Sequence, residues 1–532
     1  MDDRRYYPFF LFALGLALFF PGLGTRDFWA PVEPRYAEIV RVMFAKGEWI
    51  VPTVNGEIYT DKPILYFWIA LIAAKIAGGV NEWVVRLPAA LGGIGFVLAT
   101  YYIGRELFSA RVGAIAGVVL ATSFRVVWEA RWAHIDSLFG CLFLLSVYFG
   151  SRALLRRGPP HEVLLSYVFM ALATLAKGLI GVVLPGLLFV AFVLARRDWR
   201  LIGAAKLPIG VPLFLVIATP WFYLVSEATG GKWLTDFIYI HHVQRYTAGA
   251  GHRQPFYYYF TTLPADFLPW TAFAIPALSR YRDYRRSWAE PPVQFCLLWF
   301  LSVFIFFSAS DTKRDLYLLP LLPTLAFLVA NFLDDLDRHG LIRSRFYFWF
   351  TAGFFAIVAL SALALPAIAW FVRPDAVESL IPPSVVLTIG GILAFVAIVS
   401  ARPIAALVSV SALMLLTVIT ASLWVFPYLE QFKSYRPFSR EINRLVPLPA
   451  PLYVYADTMN DFNYYTRREA IPVLATPGEV AKLRDSPQTS YLLIKERDFK
   501  RLSAPPAATT LASRMLGSTT WYLLEFGNQP RI

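Results

Sequence analysis

Charge is scarce in this sequence. Asp, Glu, Lys and Arg make up only 16% of its 532 residues, while 57% are hydrophobic; a soluble domain carries roughly 25% charge. Together with a mean hydropathy of +0.54, that shortage excludes an ordinary soluble domain and indicates a polytopic membrane protein. Cysteine is scarcer still. Cys141 and Cys296 both lie inside apolar segments, so there is no disulfide framework and no redox compartment to read. Nucleotide-binding signatures are also missing: there is no Walker motif, and Gly92-Gly93-Ile94-Gly95 lies within an apolar stretch, not after a strand. No internal repeat or low-complexity tract occurs. No small-residue cleavage site follows the apolar run from Phe9 to Phe20, so that run reads as an uncleaved first helix.

The net charge of +13 would suggest a nucleic-acid partner in a soluble chain. Here the Lys and Arg residues fall mostly in short loops between apolar stretches, so the charge is topological first. Stretches of about 20 residues suited to a bilayer occur near 7–24, 87–103, 112–128, 137–154, 162–176, 178–195, 206–225, 264–279, 291–308, 316–333, 346–371, 384–400 and 404–427, thirteen in all. With the N-terminus inside, the loops 105–111, 152–157, 196–206, 280–286 and 338–345, and Arg402, fall on the cytoplasmic side. Nearly all of them are basic, as the positive-inside rule requires. An odd number of crossings then puts everything after Phe426 on the outer face.

This count holds only if the apolar stretch 64–74 does not cross. At about eleven residues it suits an interfacial or re-entrant helix better than a span. Before it, Tyr36, Ile39, Val40, Met43 and Phe44 repeat at helical spacing with Arg35, Glu38 and Arg41 off that face. That stripe predicts either a helix lying flat in the interface or one packed against neighbouring helices. The fold expected is mainly α: a membrane domain over 1–427 with a first outer loop at 25–86, and a small α/β domain over 428–532. The last part carries strand-like runs at 452–455, 491–494 and 521–526 and a helix-like run at 477–483.

Polar residues gather on the outer side. Glu33 and Arg35 open the flat helix in the run Pro31-Val32-Glu33-Pro34-Arg35-Tyr36, where Glu33 is either a functional acid or a helix-start residue suited to the dipole. Asp61 and Lys62 precede Pro63, as an anion-binding pair or as an ordinary interfacial ion pair. Asp136 opens a span, as an acid or as a helix cap. Later loops add His241, His242 and Arg245, then Lys313, Arg314, Asp315 and Tyr317. Lys and Arg are disfavoured in short outer loops, and an anionic ligand explains their presence. The adjacent histidines are a weak metal signature.

These residues in this order resemble the bacterial aminoarabinose transferases and their protein-mannosyltransferase relatives, within the GT-C glycosyltransferases. The likeness rests on Glu33-Pro34-Arg35-Tyr36-Ala37-Glu38-Ile39, Gly47-Glu48-Trp49-Ile50-Val51-Pro52, Asn55-Gly56-Glu57, Tyr59 and Asp61-Lys62-Pro63. It continues through Arg86-Leu87-Pro88, Gly104-Arg105, Asp136, the stretch ending at Arg245, and Tyr317-Leu318-Leu319-Pro320. The resemblance implies a GT-C fold in a bacterial inner membrane, with the C-terminal domain periplasmic. It also implies transfer of a sugar from a polyprenyl-phosphate carrier to a lipid, glycan or protein acceptor. By the same resemblance Lys62, Arg35 and Arg245 would bind the donor phosphate, and Tyr36, Tyr59, Asp61, His241, His242, Lys313 and Tyr317 would shape the pocket. Glu33 and Asp136 are its candidate catalytic acids. No cofactor is required, although a divalent metal near Asp61 and His241 or His242 is one option. One departure matters: relatives commonly read Pro-Asp-Glu-x-Arg-Tyr, and their first-loop Asp is Val32 here. Glu33, which remains in the loop, is then the preferred base, with Asp136 as the main base or loss of activity as the alternatives.

Two other classes compete. A lipid-linked sugar transporter or flippase suits thirteen spans, but its site is expected at mid-depth among discontinuous spans; Lys177 is the main charge there. An envelope protein that binds lipid without catalysis is compatible with Val32.

Overall fold

A computed structural model describes residues 5–155, 159–244, 253–283, 290–340, 345–458, 460–484, 486, 488–502 and 508–527. The thirteen apolar stretches are helical within it. Among the described residues, eight helices are long and apolar enough to cross a membrane, or nine if Ala110–Ala121 and Phe124–Arg131 form one bent span. The apolar helices Tyr6–Phe19, Leu65–Ala77 and Ile180–Arg196 are shorter. At 1.5 Å per residue, the 13 residues of Leu65–Ala77 reach about 20 Å, well short of a hydrocarbon core of about 30 Å. The chain is a multi-pass membrane protein.

Two stretches expected as plain spans are broken, and the breaks serve each other. The helices Ala110–Ala121 and Phe124–Arg131 meet at 64°, because Thr122 and Ser123 turn their hydroxyls back onto the carbonyls of Val118 (2.6 Å) and Val119 (2.7 Å). The stretch 264–279 divides into Tyr258–Asp266 and Thr271–Asp283. Between them, Leu268 O accepts the Phe124 N–H at 2.8 Å, and Trp270 Nε1 donates to Thr122 Oγ1 at 3.0 Å. Backbone groups freed by one break are thus met by the other, a condition for irregular backbone in a membrane domain.

The contacts divide the chain into two compact units. The first comprises residues 1–23, 60–66 and 86–425, and the second 24–59, 67–85 and 426–532. In the first unit, the glycines that might have suggested a nucleotide loop are packing residues. A Cβ on Gly92 would lie 2.5 Å from Leu138 N and 2.6 Å from its Cα, and one on Gly93 would lie 2.5 Å from the Ala130 methyl. The helix Glu82–Leu107 therefore presses backbone to backbone on the start of the helix Asp136–Leu154.

The second unit joins the first loop to the C-terminal segment. In the loop, the helix Glu33–Lys46 takes Pro34 in its first turn, where no amide partner is needed, and stops at Gly47 (φ 67°). Its apolar stripe is covered by protein: Tyr36, Ile39, Val40 and Met43 are buried, and the Tyr36 ring meets Phe67 edge-on at 5.2 Å. The hairpin β1 (Thr53–Val54) and β2 (Glu57–Ile58) follows. The C-terminal sheet contains β3 (Leu452–Tyr455), β4 (Val473–Leu474), β5 (Ser490–Lys495), β6 (Thr509–Leu516) and β7 (Thr519–Phe526) in the order β4-β3-β5-β7-β6. β3 runs parallel to β4 and β5, while β7 is antiparallel to β5 and β6. The amphipathic helix Arg436–Leu445 buries Phe438 and Ile442 in the core beside Leu493, Trp521 and Leu523.

Gly92→Ala should force the two helices apart and cost about 1–3 kcal/mol, as overpacking does. A lower thermal midpoint of the detergent-solubilised protein is the expected reading, and an unchanged midpoint would show that the backbone approach is not tight.

Candidate functional site

In the second unit, the first-loop acid is enclosed. Glu33 has no exposed surface; Arg26 grips it with Nη1 on Oε2 at 2.8 Å and Nη2 on Oε1 at 3.1 Å, and the Trp29 N–H donates to Oε2 at 3.1 Å. A bidentate guanidinium and an amide together satisfy a buried carboxylate. A proton taken by Glu33 would break that fork. Sequence reading missed Arg26, which lies outside the motif. Tyr36 and Tyr59 both pack edge-on against Phe67, at 5.2 and 6.0 Å.

Arg35 follows Val32 by three residues, a spacing that puts the two on one side of a helix. It acts electrostatically on Asp461, a C-terminal residue that sequence reading did not single out. Burial and the charge of Asp457 push the Asp461 carboxyl up to about 7, while Arg35 and a hydrogen bond from Tyr435 pull it down. Other contacts tie the loop to the C-terminal segment. Arg436 pairs with Asp27 at 2.9 Å and also with Glu82; Ser434 Oγ donates to Asp27 at 2.5 Å, and Tyr465 OH to Glu82 at 2.9 Å.

In the first unit the predicted residues form two groups. Lys62 Nζ lies 3.1 Å from Asp61 Oδ1, with both side chains about one-fifth exposed. His241 stands between two partners, Nδ1 at 3.3 Å from Asp61 Oδ1 and Nε2 at 3.1 Å from Thr60 Oγ1. Among the described residues, no three His, Cys, Asp or Glu side chains gather as a metal set would. Arg245 and the side chain of His242 lie outside the described residues.

Asp136 anchors the second group. It is the first residue of its helix, with Ile135 at the cap position, and Lys177 Nζ meets its Oδ1 at 2.5 Å. The same ammonium lies 5.0 Å from the Phe139 ring and 5.3 Å from the Tyr317 ring. Lys177 thus links Asp136 to Tyr317, whose ring also packs on Phe307 at 5.2 Å. Lys313 is buried, with its ammonium on the carbonyls of Ser310 (2.5 Å) and Gln254 (3.3 Å). Nearby in sequence, Arg125 meets Asp266, Glu129 and Asp315, and His134 Nδ1 lies 2.7 Å from Glu129 Oε2. Asp266 was hidden in sequence, within a stretch that reads as a span.

Comparison with known proteins places this geometry. Residues 61–224 match the family described as dolichyl-phosphate-mannose-protein mannosyltransferase. The undecaprenyl phosphate-alpha-4-amino-4-deoxy-L-arabinose arabinosyl transferase of Shewanella sediminis is 27% identical over 88% of this chain and 85% of its own length. The protein of that name from Edwardsiella ictaluri is 30% identical over 61% of this chain and 58% of its own length, so that alignment spans under two thirds of the relative. The crystal structure of ArnT from Cupriavidus metallidurans bound to undecaprenyl phosphate superposes with a TM-score of 0.80, covering 99% of both chains at 22% identity. The chain is similar to these arabinosyl transferases and has the fold of that ArnT structure.

Against the Pro-Asp-Glu-x-Arg-Tyr order of the aminoarabinose transferases, the Glu keeps its place as Glu33 and the Asp gives way to Val32. Glu33 itself is held by Arg26 and the Trp29 amide. Arg26→Ala should leave the Glu33 charge buried without its cation, costing about 3–5 kcal/mol of stability, whereas Arg26→Ala with Glu33→Gln should recover part of that loss. Thermal melts of the two variants check this; equal melting of both would show that the ion pair does not hold the loop.

Proposed function

We propose that this protein is an integral-membrane glycosyltransferase that moves a sugar from a polyprenyl-phosphate carrier to a lipid acceptor by inverting displacement. The observation that carries this reading is the alignment over 88% of the chain with an arabinosyl transferase named for an undecaprenyl-phosphate donor. The basic loops at 105–111, 152–157, 196–206 and 280–286 favour a cytoplasmic N-terminus, with a membrane domain over 1–427 and the domain 428–532 periplasmic in a bacterial inner membrane.

In this mechanism the acceptor oxygen attacks the anomeric carbon as the bond from that carbon to the phosphate oxygen breaks. The electron pair leaves with the polyprenyl phosphate, whose charge Lys62 meets; Arg35 and Arg245 are the further donor-phosphate candidates that the resemblance implies. A hydroxyl acceptor must also lose a proton. Asp136 is the better base, because Glu33 is held by a bidentate guanidinium and the Trp29 amide while Asp136 meets a single ammonium, that of Lys177, which also lies over Tyr317. An acceptor that presents an already ionised oxygen needs no base, which makes Val32 compatible with turnover. Asp61 and His241 then hold the Lys62 side chain in place.

Transfer is measured with purified protein in liposomes, using undecaprenyl-phosphoryl 4-amino-4-deoxy-L-arabinose and following the lipid product by mass spectrometry. Lys62→Ala should lower kcat on the order of 10²–10³-fold, as the loss of one charge-stabilising group does. Asp136→Asn should lower it by about 10²-fold or more if the acceptor is a hydroxyl. Full transfer by both Asp136→Asn and Glu33→Gln would remove both carboxylates from the chemistry, and absence of transfer by the unmodified protein despite donor binding would favour the non-catalytic lipid-binding reading.

A further inference from the structure

Arg125 gathers more carboxylates than its charge needs. Its Nε and Nη2 both donate to Asp266 Oδ1, at 2.9 and 2.6 Å; Nη1 donates to Glu129 Oε1 at 3.1 Å, and Nη2 also meets Asp315 Oδ2. The guanidinium thereby ties three elements that pack pairwise on one another: its own helix Phe124–Arg131, the end of the helix Tyr258–Asp266, and the start of the short helix Asp315–Leu321. One carboxylate balances one buried cation, and surplus buried negative charge is costly. Three carboxylates on one guanidinium therefore call for a role beyond charge balance. A lysine could not fill it, because a single ammonium lacks the planar fork that meets several carboxylates at once.

Two of the three carboxylates lead to Asp136. Glu129 holds Arg125 on Oε1 and His134 Nδ1 on Oε2, the latter at 2.7 Å, and His134 lies two residues before Asp136. Asp315 divides in the same way, with Oδ2 on Arg125 and Oδ1 accepting the Leu316 N–H at 2.9 Å. The helix start so capped carries Tyr317, whose N–H donates to Arg314 O at 3.1 Å. The Tyr317 ring lies 5.3 Å from the Lys177 ammonium, which is 2.5 Å from Asp136 Oδ1. The chain of residues closes on itself, from Arg125 through Glu129 and His134 to Asp136, and back through Lys177, Tyr317 and Asp315.

We propose that Arg125 is a positioning residue for sugar transfer: through Asp315 it holds Tyr317 where the ring supports the Lys177 ammonium as Asp136 takes the acceptor's proton. The proposal rests on the reading of Asp136 as the base. Once the proton of the acceptor hydroxyl is on Asp136, that carboxyl is neutral and no longer holds the ammonium by charge. The Tyr317 ring then supplies the attraction. A displaced ring leaves a buried cation poorly compensated in that state, which slows the step and leaves donor binding alone.

Asp315→Asn is the sparing variant, because the Asp315 side chain is 39% exposed and an amide oxygen can still accept the Leu316 N–H. In the liposome assay it should lower kcat on the order of 10-fold, as a misplaced group near the chemistry does, with an unchanged thermal midpoint. KM for the donor should stay within about twofold, the mark of an interaction made only in the transition state. In a Tyr317→Ala background the same substitution should change kcat by less than about twofold, since the ring it positions is gone. An undiminished kcat for Asp315→Asn, or an equal loss in both backgrounds, overturns the proposal. Arg125→Lys should lower kcat on the order of 10²-fold; if that variant does not fold, the Asp315 and Tyr317 pair decides alone. Asp136→Asn separates the proposal from the reading beneath it. Full transfer by Asp136→Asn removes Asp136 as the base and the positioning with it, whereas a loss with Asp136→Asn and none with Asp315→Asn removes only the positioning.

Discussion

The contact on which the second unit depends is that of Arg436 with two carboxylates from opposite ends of the first loop. Asp27 stands at the entrance to that loop and Glu82 at its exit, and both pair with this one guanidinium, which also lies over the Tyr465 ring at 5.0 Å. Between those ends, Asn55 adds side-chain bonds to Ile471 and Asn463. Fastened at both ends, the loop becomes part of the C-terminal domain's fold. Glu430 adds to the entrance, accepting the Asp27 N–H at 2.7 Å and Trp29 Nε1 at 3.0 Å. Arg35, Tyr36 and Tyr59 are then held on a frame that residues some four hundred positions away complete.

The same economy governs the rest of the charge. In a chain this apolar, a buried ionic group costs several kcal/mol unless it is matched, and among the described residues several of those with a predicted role have partners. Glu33 has Arg26, Asp136 has Lys177, Asp61 has Lys62 and His241, and Arg125 gathers Asp266, Glu129 and Asp315. The pairs differ in how replaceable the partner is. Arg26 meets Glu33 through two parallel hydrogen bonds, a geometry that fixes both side chains. Lys177 meets Asp136 through a single flexible ammonium that is shared with two aromatic rings, and such a partner can be surrendered to a ligand at smaller cost.

What the sequence discloses follows from the range of the interaction that encodes it. Helix positions and the strands β3, β5 and β7 depend on local periodicity and were legible, as were the short helix after Pro63 and the stretch opened by Pro34. The strand β6 was not, because Thr509 to Leu516 places Arg514 and Ser513 among its residues and its apolar pattern is broken by a bulge near Thr510. The breaks at Thr122 and Leu268 were not legible either: each is stabilised by the other, and nothing in either stretch alone shows a partner 148 residues away. Among site residues, motif-bearing ones such as Lys62 and Asp136 could be named, whereas Arg26, Asp266 and Asp461 acquire meaning only through tertiary contacts.

Val32 is best understood from charge balance around the helix it precedes. A helix start carries partial positive charge, and Arg35 adds a full one in the next turn. An aspartate at position 32 would offset that charge and, by sharing it, would be a proton acceptor of ordinary strength. Valine offers no such offset, and the Arg35 charge is felt instead by Asp461: burial and the charge of Asp457 push its carboxyl up to about 7, while Arg35 pulls it down.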